Sequence, residues 1–468
     1  MAHLASCALH ALLACAPQGD SPATAERPPL LTANEQASLR DKIVKYFDAL
    51  DTYERAESSK DREKAGKPRD KAKDAMRGEW ELRSKKGNLL ASMADLRAVY
   101  DACFPAGAPR VQPGAVRKEK DRESGIEYTV AVPKGYKPQK AVRTILALPG
   151  TTAADQAASW VDGDRWFAEV FDKTPLLEAL VHVVHLPAGI EMDPVPDFSR
   201  DGQDAQEAKR FATVFQSFAL TNQSMTYDRG RLFLDCGRGT SGFGLRFASV
   251  FPTRFAGLVL RHAVMPDDLR FGSLTGMPVL LLKSAKTAEA VAALQAKLEA
   301  LQAGSVTVLE TTDEYPHKAA AAEIDAWMQK QKRNIAPSKV VIEPNDDRFR
   351  SAYWVEIGKM EVLHKAPLAD RPRIEVVADR TSNRLVVKAR GIEGFTLYLN
   401  DDLLDLDKEF TVVVNDKAVS EKRTRDLFLL ERQVVQRRDW EFLFPVKYDS
   451  LVPKPAKADD KPASTDGK

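Results

Sequence analysis

Between residues 124 and 333 short apolar runs alternate with amphipathic ones, and this alternation constrains the fold more than any other feature of the chain. "IEYTVAVP", "VRTILALPGTT", "LVHVVHLP", "RLFLD", "FAGLVLRHAV", "MPVLLLKSA" and "SVTVLETT" read as strands. Helical runs separate them: "DAQEAKRFATVFQSFAL", "SGFGLRFASVF", "AEAVAALQAKLEALQA" and "HKAAAAEIDAWMQKQK". In the first of these, Ala208, Phe211, Val214, Phe215 and Phe218 recur at helical spacing. Strands that are apolar on both faces need both faces covered. A mostly parallel sheet between two layers of helices meets that need, so the fold class is α/β.

The flanks follow different patterns. Residues 33–110 predict a helical accessory region, opened by Thr32 as an N-cap with Glu35 three residues on. Leu39, Ile43, Tyr46, Phe47 and Leu50 supply its apolar face. "ERAESSKDREKAGKPRDKAKD" carries mixed charge with Gly66 and Pro68, which predicts a solvated helix and loop. A second helix is expected in "WELRSKKGNLLASMADLRAVYDACF". The α/β region is assigned to residues 120–333. Residues 338–450 hold short alternating strands between turn residues, which predicts a small antiparallel β module, a sandwich. Within it "KRTRDLFLLERQVVQRRD" reads as one helix. Residues 451–468 are low in complexity and predict a disordered tail.

The first 20 residues, "MAHLASCALHALLACAPQGD", read as a secretory leader, and export to the cell envelope or beyond is expected. "LLAC" resembles a bacterial lipobox, which implies lipidation of Cys15 and a lipid anchor, although the leader carries no Lys or Arg before its apolar stretch. No run of 18 apolar residues predicts a spanning helix. With 69 basic and 67 acidic residues the net charge is +2, which argues against a nucleic-acid partner. Four cysteines are too few for a disulfide framework. No ligand cluster is apparent, so neither a metal nor an organic cofactor is expected. "GRGTSGFG" imitates a nucleotide-binding glycine pattern, but it follows a mid-sheet strand and no acidic residue ends the next one. His182 and His185 fall on opposite faces of one strand and read as structural.

The stretch "YDRGRLFLDCGRGTSGFGLRFASVFPTRFAGLVLR" resembles the α/β-hydrolase superfamily, in particular its secreted esterase-like and prolyl-oligopeptidase-like members. The resemblance covers about residues 120–333. It implies a nucleophile elbow G-x-S-x-G between a strand and a helix, with Asp228, Arg231, Phe251, Pro252, Arg254 and Phe255 in the surrounding frame. Aligned on "FPTRF", Cys236 takes the first glycine position, Gly237 the next, and Arg238 that of the nucleophile. Gly239 follows, and Thr240 takes the second glycine position. A protonated guanidinium has no lone pair to attack with. Cys236 and Ser241 are the two displaced nucleophiles that remain open. The resemblance sets His317, in "TTDEYPHKAAA", at the place of the catalytic base. It sets Thr287 at the place of the acid, with Glu289, Asp267 and Asp268 as other carboxylates nearby. Gly150, Thr151 and Thr152 correspond to the oxyanion turn, and Trp160, Asp162, Asp164 and Trp166 form a rim that either holds a ligand or covers the sheet.

With Arg238 and Thr287 in place of nucleophile and acid, the expectation is a hydrolase fold with a degraded triad. It would bind a small molecule or peptide through Arg238, Gly239, Gly150 and Thr151, or act in assembly. The alternative is an active serine or cysteine hydrolase of esters or peptides, with Ser241 or Cys236 as nucleophile, His317 as base and Asp268 as a candidate acid.

Overall fold

The structure, a computed structural model, describes residues 28–54, 56–100, 112–120, 125–137, 140–150, 163–185, 213–219, 221, 225–266, 269–301, 304–313, 315–345, 349–361, 367–437 and 439–453. The chain divides into two compact units, Met1–Val99 and Tyr100–Lys468.

In the first unit α1 (Ala33–Glu54) and α2 (Ser59–Ser84) are joined by a short turn, and α3 (Met93–Tyr100) begins in the same unit. Thr32 and Glu35 form the expected reciprocal cap: Thr32 N donates to Glu35 Oε2 at 2.9 Å and Glu35 N to Thr32 Oγ1 at 3.4 Å. Within the mixed-charge run residues 56–58 are not helical, and from Ser59 onward it is helix, through Gly66 and Pro68. Ser58 caps α2 by accepting from Asp61 N at 3.0 Å, and Pro68 lies inside the helix. A proline there removes one backbone donor and crowds the carbonyl of Lys64 one turn back. Arg69, the next residue, covers the ring of Tyr53 on α1 at 4.0 Å. Asp95 ties the unit together: its buried carboxylate accepts from Leu30 N, Leu31 N, Gln36 Nε2 and Ser92 Oγ.

The second unit is built on an eight-stranded sheet. Its strands are β1 (Val116–Lys120), β2 (Glu127–Ala131), β3 (Val142–Leu148), β4 (Leu180–Val184), β5 (Tyr227–Cys236), β6 (Gly257–Leu260), β7 (Val279–Lys283) and β8 (Val306–Glu310), in the order β1-β2-β4-β3-β5-β6-β7-β8. Strand β2 runs antiparallel to both its neighbours, and every pairing from β4 to β8 is parallel. Alternate side chains of the central strands enter two cores. Leu234, Leu260 and Leu281 pack with Phe243 and Phe247 of α5 (Ser241–Val250) and Leu294 of α6 (Ala288–Ala300). Phe233, Val259 and Leu280 pack with Trp166 of α4 (Gly163–Val170) and Trp327 of α7 (Ala321–Lys330). Both faces are covered, as continuous apolar strands require.

The β module follows. A five-stranded sheet in the order β16-β15-β13-β12-β9 faces a four-stranded one in the order β10-β11-β14-β17. Strands β9 to β17 span Lys339–Ile342, Ser351–Ala352, Val355–Met360, Arg373–Asp379, Arg384–Arg390, Ile392–Leu399, Phe410–Val414, Lys417–Glu421 and Val446–Leu451. Trp354, Leu397 and Phe442 meet Ile374, Val387 and Phe410 in the core between the sheets. One pairing departs from the antiparallel expectation: β13 and β15 are parallel. The strand between them, β14, crosses to the other sheet, so the chain returns to β13 in the same direction. The antiparallel β15–β16 hairpin turns on Asn415 and Asp416, both at positive φ, as a two-residue type I′ loop needs. The module's helix, α8 (Leu427–Arg437), is shorter than the charged run suggested. It begins after Asp426, whose carboxylate accepts from Phe428 N at 2.8 Å. Buried polar contacts tie the module to the large sheet: Asn345 donates to Ser249 Oγ, and Arg333 grips Asp439.

Candidate functional site

Strand β5 ends at Cys236, and α5 starts at Ser241. The link is a tight turn in which Thr240 N donates to Gly237 O at 3.3 Å. Its third residue, Gly239, has φ +80°, as a type II turn requires at that place. A strand, a sharp turn with one left-handed residue and a helix make a nucleophile elbow. The residues at its tip are Arg238 and Gly239. Neither carries a hydroxyl or a thiol.

With the sheet order and the elbow in place, the architecture is settled. This is an α/β-hydrolase fold.

Each candidate nucleophile has another occupation. Cys236 is fully buried and points into the core beneath α5, where a Cβ on Gly244 would come within 2.2 Å of its sulfur. Ser241 is fully buried, and its hydroxyl donates to Gly237 O at 2.8 Å. The Thr240 hydroxyl accepts from Gly237 N at 3.1 Å and donates back to the Gly237 carbonyl. These hydroxyls fasten the turn.

The other face of the elbow gathers a different set of groups. Arg238 N donates to the Tyr315 hydroxyl at 2.6 Å, and the Arg238 guanidinium lies 4.6 Å over the Tyr315 ring. Gly150, two residues past the end of β3, lies against both. A Cβ there would meet Arg238 N at 2.4 Å and Tyr315 Oη at 2.5 Å. Burial pushes the Tyr315 phenol well above its usual range, so it stays protonated. The His262 and His317 rings stand edge-on to Tyr315, with centroids 6.1 and 5.9 Å away. Cys236 belongs to one core and Tyr315 to the other, so the thiol and the histidines lie on opposite faces of the sheet.

His317 is almost fully buried and has φ +64°. Its Nδ1 lies 3.0 Å from Thr311 Oγ1, 3.2 Å from Asp313 O and 3.6 Å from Asp313 Oδ1. Burial lowers its pKa, and the Arg261 charge adds to that against the opposing pull of Asp313. Burial, with the Arg238 and His317 charges, lowers His262 to about 4. Both imidazoles are therefore neutral near pH 7. Beside them Arg261 clasps Asp235 through two 2.8 Å bonds and donates to Pro316 O at 2.9 Å, all in the interior. That carboxylate is fully engaged. Arg238 makes no ion pair among the described residues, and its buried Nε has no hydrogen-bond partner.

Thr287 stands just before α6, its hydroxyl accepting from Ser284 N of the preceding turn at 2.9 Å, and Glu289 is exposed on that helix. Of the rim, Trp166 is fully buried in the sheet-covering core. Asp164 pairs with Lys118 at 2.9 Å and accepts from Thr129 Oγ1 at 2.6 Å. His182 is buried between Thr221 Oγ1 and Ser217 Oγ, and burial holds it at about 3. Cys15, Thr151, Thr152, Trp160, Asp162, Asp267 and Asp268 lie outside the described residues.

Sequence reasoning missed Asp235, Arg261, His262, Asp313 and Tyr315. Two signals were available: charges at the ends of two apolar strands, in "FLDC" and "VLRH", and a carboxylate four residues before His317.

No protein-family profile matches the chain, and no curated protein sequence does. Solved structures resemble it over about half its length. A thermostable esterase is 17% identical over 47% of this chain, with a TM-score of 0.34, and the chain spans 63% of that esterase. An S-formylglutathione hydrolase from Agrobacterium tumefaciens is 14% identical over 48% of this chain and 99% of its own, with a TM-score of 0.32. A ferulic acid esterase is 12% identical over 46% of this chain and 97% of its own, also with a TM-score of 0.32.

Proposed function

We propose that this α/β-hydrolase fold no longer performs acyl transfer, and that its elbow holds the carboxylate of a small molecule or peptide. One observation carries the reading. The tip of the elbow is Arg238-Gly239, and the Arg238 guanidinium makes no ion pair among the described residues. Acyl transfer needs an attacking oxygen or sulfur beside a base and an oxyanion site opposite. Here Tyr315 holds the Arg238 amide beside Gly150, and the hydroxyls of Thr240 and Ser241 bond to Gly237 O. A guanidinium next to neutral imidazoles favours an anion through charge-assisted hydrogen bonds. The proposal extends to export, with residues 1–20 as leader and Cys15 as the lipidated residue. Membrane fractionation tests it, and retention of Cys15→Ser at the membrane would remove the anchor.

The elbow is tested with a p-nitrophenyl ester panel and a fluorophosphonate probe on wild type, His317→Ala and Arg238→Ala. No labelling and no turnover above buffer are expected, together with carboxylate binding, probed with acetate and benzoate, that Arg238→Ala loses. Turnover that disappears in His317→Ala would establish the alternative, a displaced nucleophile served by the His317–Asp313 pair. Mapping the labelled residue, or inactivation by iodoacetamide, would then separate Ser241 from Cys236.

A further inference from the structure

The elbow lies at the C-terminal end of β5. The other end of the same strand carries a second concentration of positive charge. A cavity of about 350 Å³ opens there, between the start of β5, the end of α5 and the β module. Four guanidiniums line it, from Arg229, Arg254, Arg333 and Arg437, against one lining carboxylate, Asp439.

The arginines are not equivalent. Arg333 is neutralised: it takes Asp439 through two bonds of 2.8 and 2.9 Å and also grips Glu441. Arg437 bonds to Gln433 Oε1 at 3.0 Å and lies 4.0 Å over the Phe442 ring, with Glu356 at 3.8 Å. The other two make no ion pair among the described residues, although the Asp439 charge reaches both. Arg229 stacks 4.2 Å over Trp440, and its buried Nε has no hydrogen-bond partner. Arg254 is exposed to the cavity, and its contact is the Phe215 ring at 6.0 Å. Desolvation of the guanidinium lowers the Arg254 pKa against the opposing pull of Tyr227 and Asp439, and the Arg229 and Arg333 charges add to the lowering. With Asp439, Glu441 and Glu356 counted against the four guanidiniums, one positive charge remains in excess, and Arg229 and Arg254 are the two arginines without an ion pair among the described residues. Phe251, Phe349 and Phe442 add apolar wall to the same cavity. An excess of guanidinium beside aromatic walls matches an anion with an apolar body: the charge bonds to the arginines and the body displaces water from the rings.

We propose that this cavity is a binding site for a small amphipathic anion, a carboxylate or phosphate on an aromatic or short acyl body. It is separate from the elbow: β5 pairs along Val142–Leu148 of β3, so its two ends lie about 20 Å apart. The anion bonds to Arg229 and Arg254, and its body packs on Phe251 and Phe442.

Calorimetric titration of the full chain with phenyl phosphate, phenylacetate, phenylacetamide and inorganic phosphate tests this. Saturable binding of phenyl phosphate or phenylacetate is expected. In Arg238→Gln, which removes the carboxylate site proposed at the elbow, one saturable site should remain, and it should weaken at least about tenfold when Arg229→Gln/Arg254→Gln is added. Neutral phenylacetamide should bind at least about tenfold more weakly than phenylacetate, and inorganic phosphate more weakly than phenyl phosphate by a similar factor. A thermal unfolding scan of the triple variant checks that it folds. Three results would overturn the proposal: no saturable binding to wild type, equal affinity in a folded triple variant, or binding removed by Arg238→Gln alone. The last would assign the anion to the elbow.

Discussion

The backbone amide of Arg238 donates to the phenol oxygen of Tyr315 at 2.6 Å, and Gly150 lies against both. This bond joins the elbow to the His317 loop, two elements 77 residues apart in sequence. Tyr315→Phe keeps the ring and leaves a part-buried amide without its partner. Urea denaturation should show a loss of about 1–3 kcal/mol, the cost of one unsatisfied donor. A change below about 0.5 kcal/mol would mean that water replaces the phenol and that the loop is not fixed by this bond.

The buried Asp235–Arg261 pair predicts an asymmetric mutant series. Both side chains are fully inaccessible and their two bonds are 2.8 Å each. Asp235→Asn or Arg261→Met alone leaves one buried charge, so each should destabilise by about 3–5 kcal/mol. Replacing both, Asp235→Leu with Arg261→Met, should cost clearly less than the two single losses added. Additive losses in a double-mutant cycle would show that the two residues act independently.

Much of this was legible beforehand, and the limits have physical causes. The central strands of the large sheet announced themselves as continuous apolar runs, because a parallel strand is buried on both sides, whereas the charged and exposed edge strand β1 gave no such signal. The elbow was legible because a tight turn between strand and helix demands glycine. The Asp235–Arg261 pair required the register that sets Cys236 beside Leu260, which neither segment encodes alone. The parallel β13–β15 pair depends on β14 leaving for the other sheet, a choice made by the whole core. Asp313 lay within reach of reading. It was passed over because the search for an acid followed the superfamily pattern after β7, where Thr287 fastens the turn before a helix instead.

Two buried neutral histidines predict acid lability. Burial holds His262 at about 4 and His182 at about 3. In the unfolded chain an imidazole titrates near 6.5, so below that pH unfolding takes up protons that the fold excludes. Their contribution to stability is therefore complete above about pH 7. It is lost as the pH falls from about 6.5 towards 4 and then 3. His182→Gln keeps partners for Ser217 and Thr221 without a titrating ring. Urea midpoints at pH 7.5, 6.0 and 5.0 should fall less steeply in this variant than in wild type. Parallel slopes would mean that His182 is accessible to protons in the fold.

Two glycines of the site predict different kinds of damage. Gly239 has φ +80°, so Gly239→Ala forces a left-handed alanine and should cost about 1–2 kcal/mol. Gly150→Ala meets something harder, because its methyl carbon would lie 2.4 Å from Arg238 N and 2.7 Å from Arg238 O. Backbone cannot swing aside as a flexible side chain does. The strain of overpacking should therefore reach about 3 kcal/mol or more and separate Arg238 from Tyr315. The two variants divide the roles of the turn. If the elbow binds an anion through Arg238, Gly239→Ala should keep most carboxylate affinity in the folded fraction. Gly150→Ala should lose it even where the protein stays folded. Equal affinity in both would show that Arg238 binds independently of the Gly150 turn.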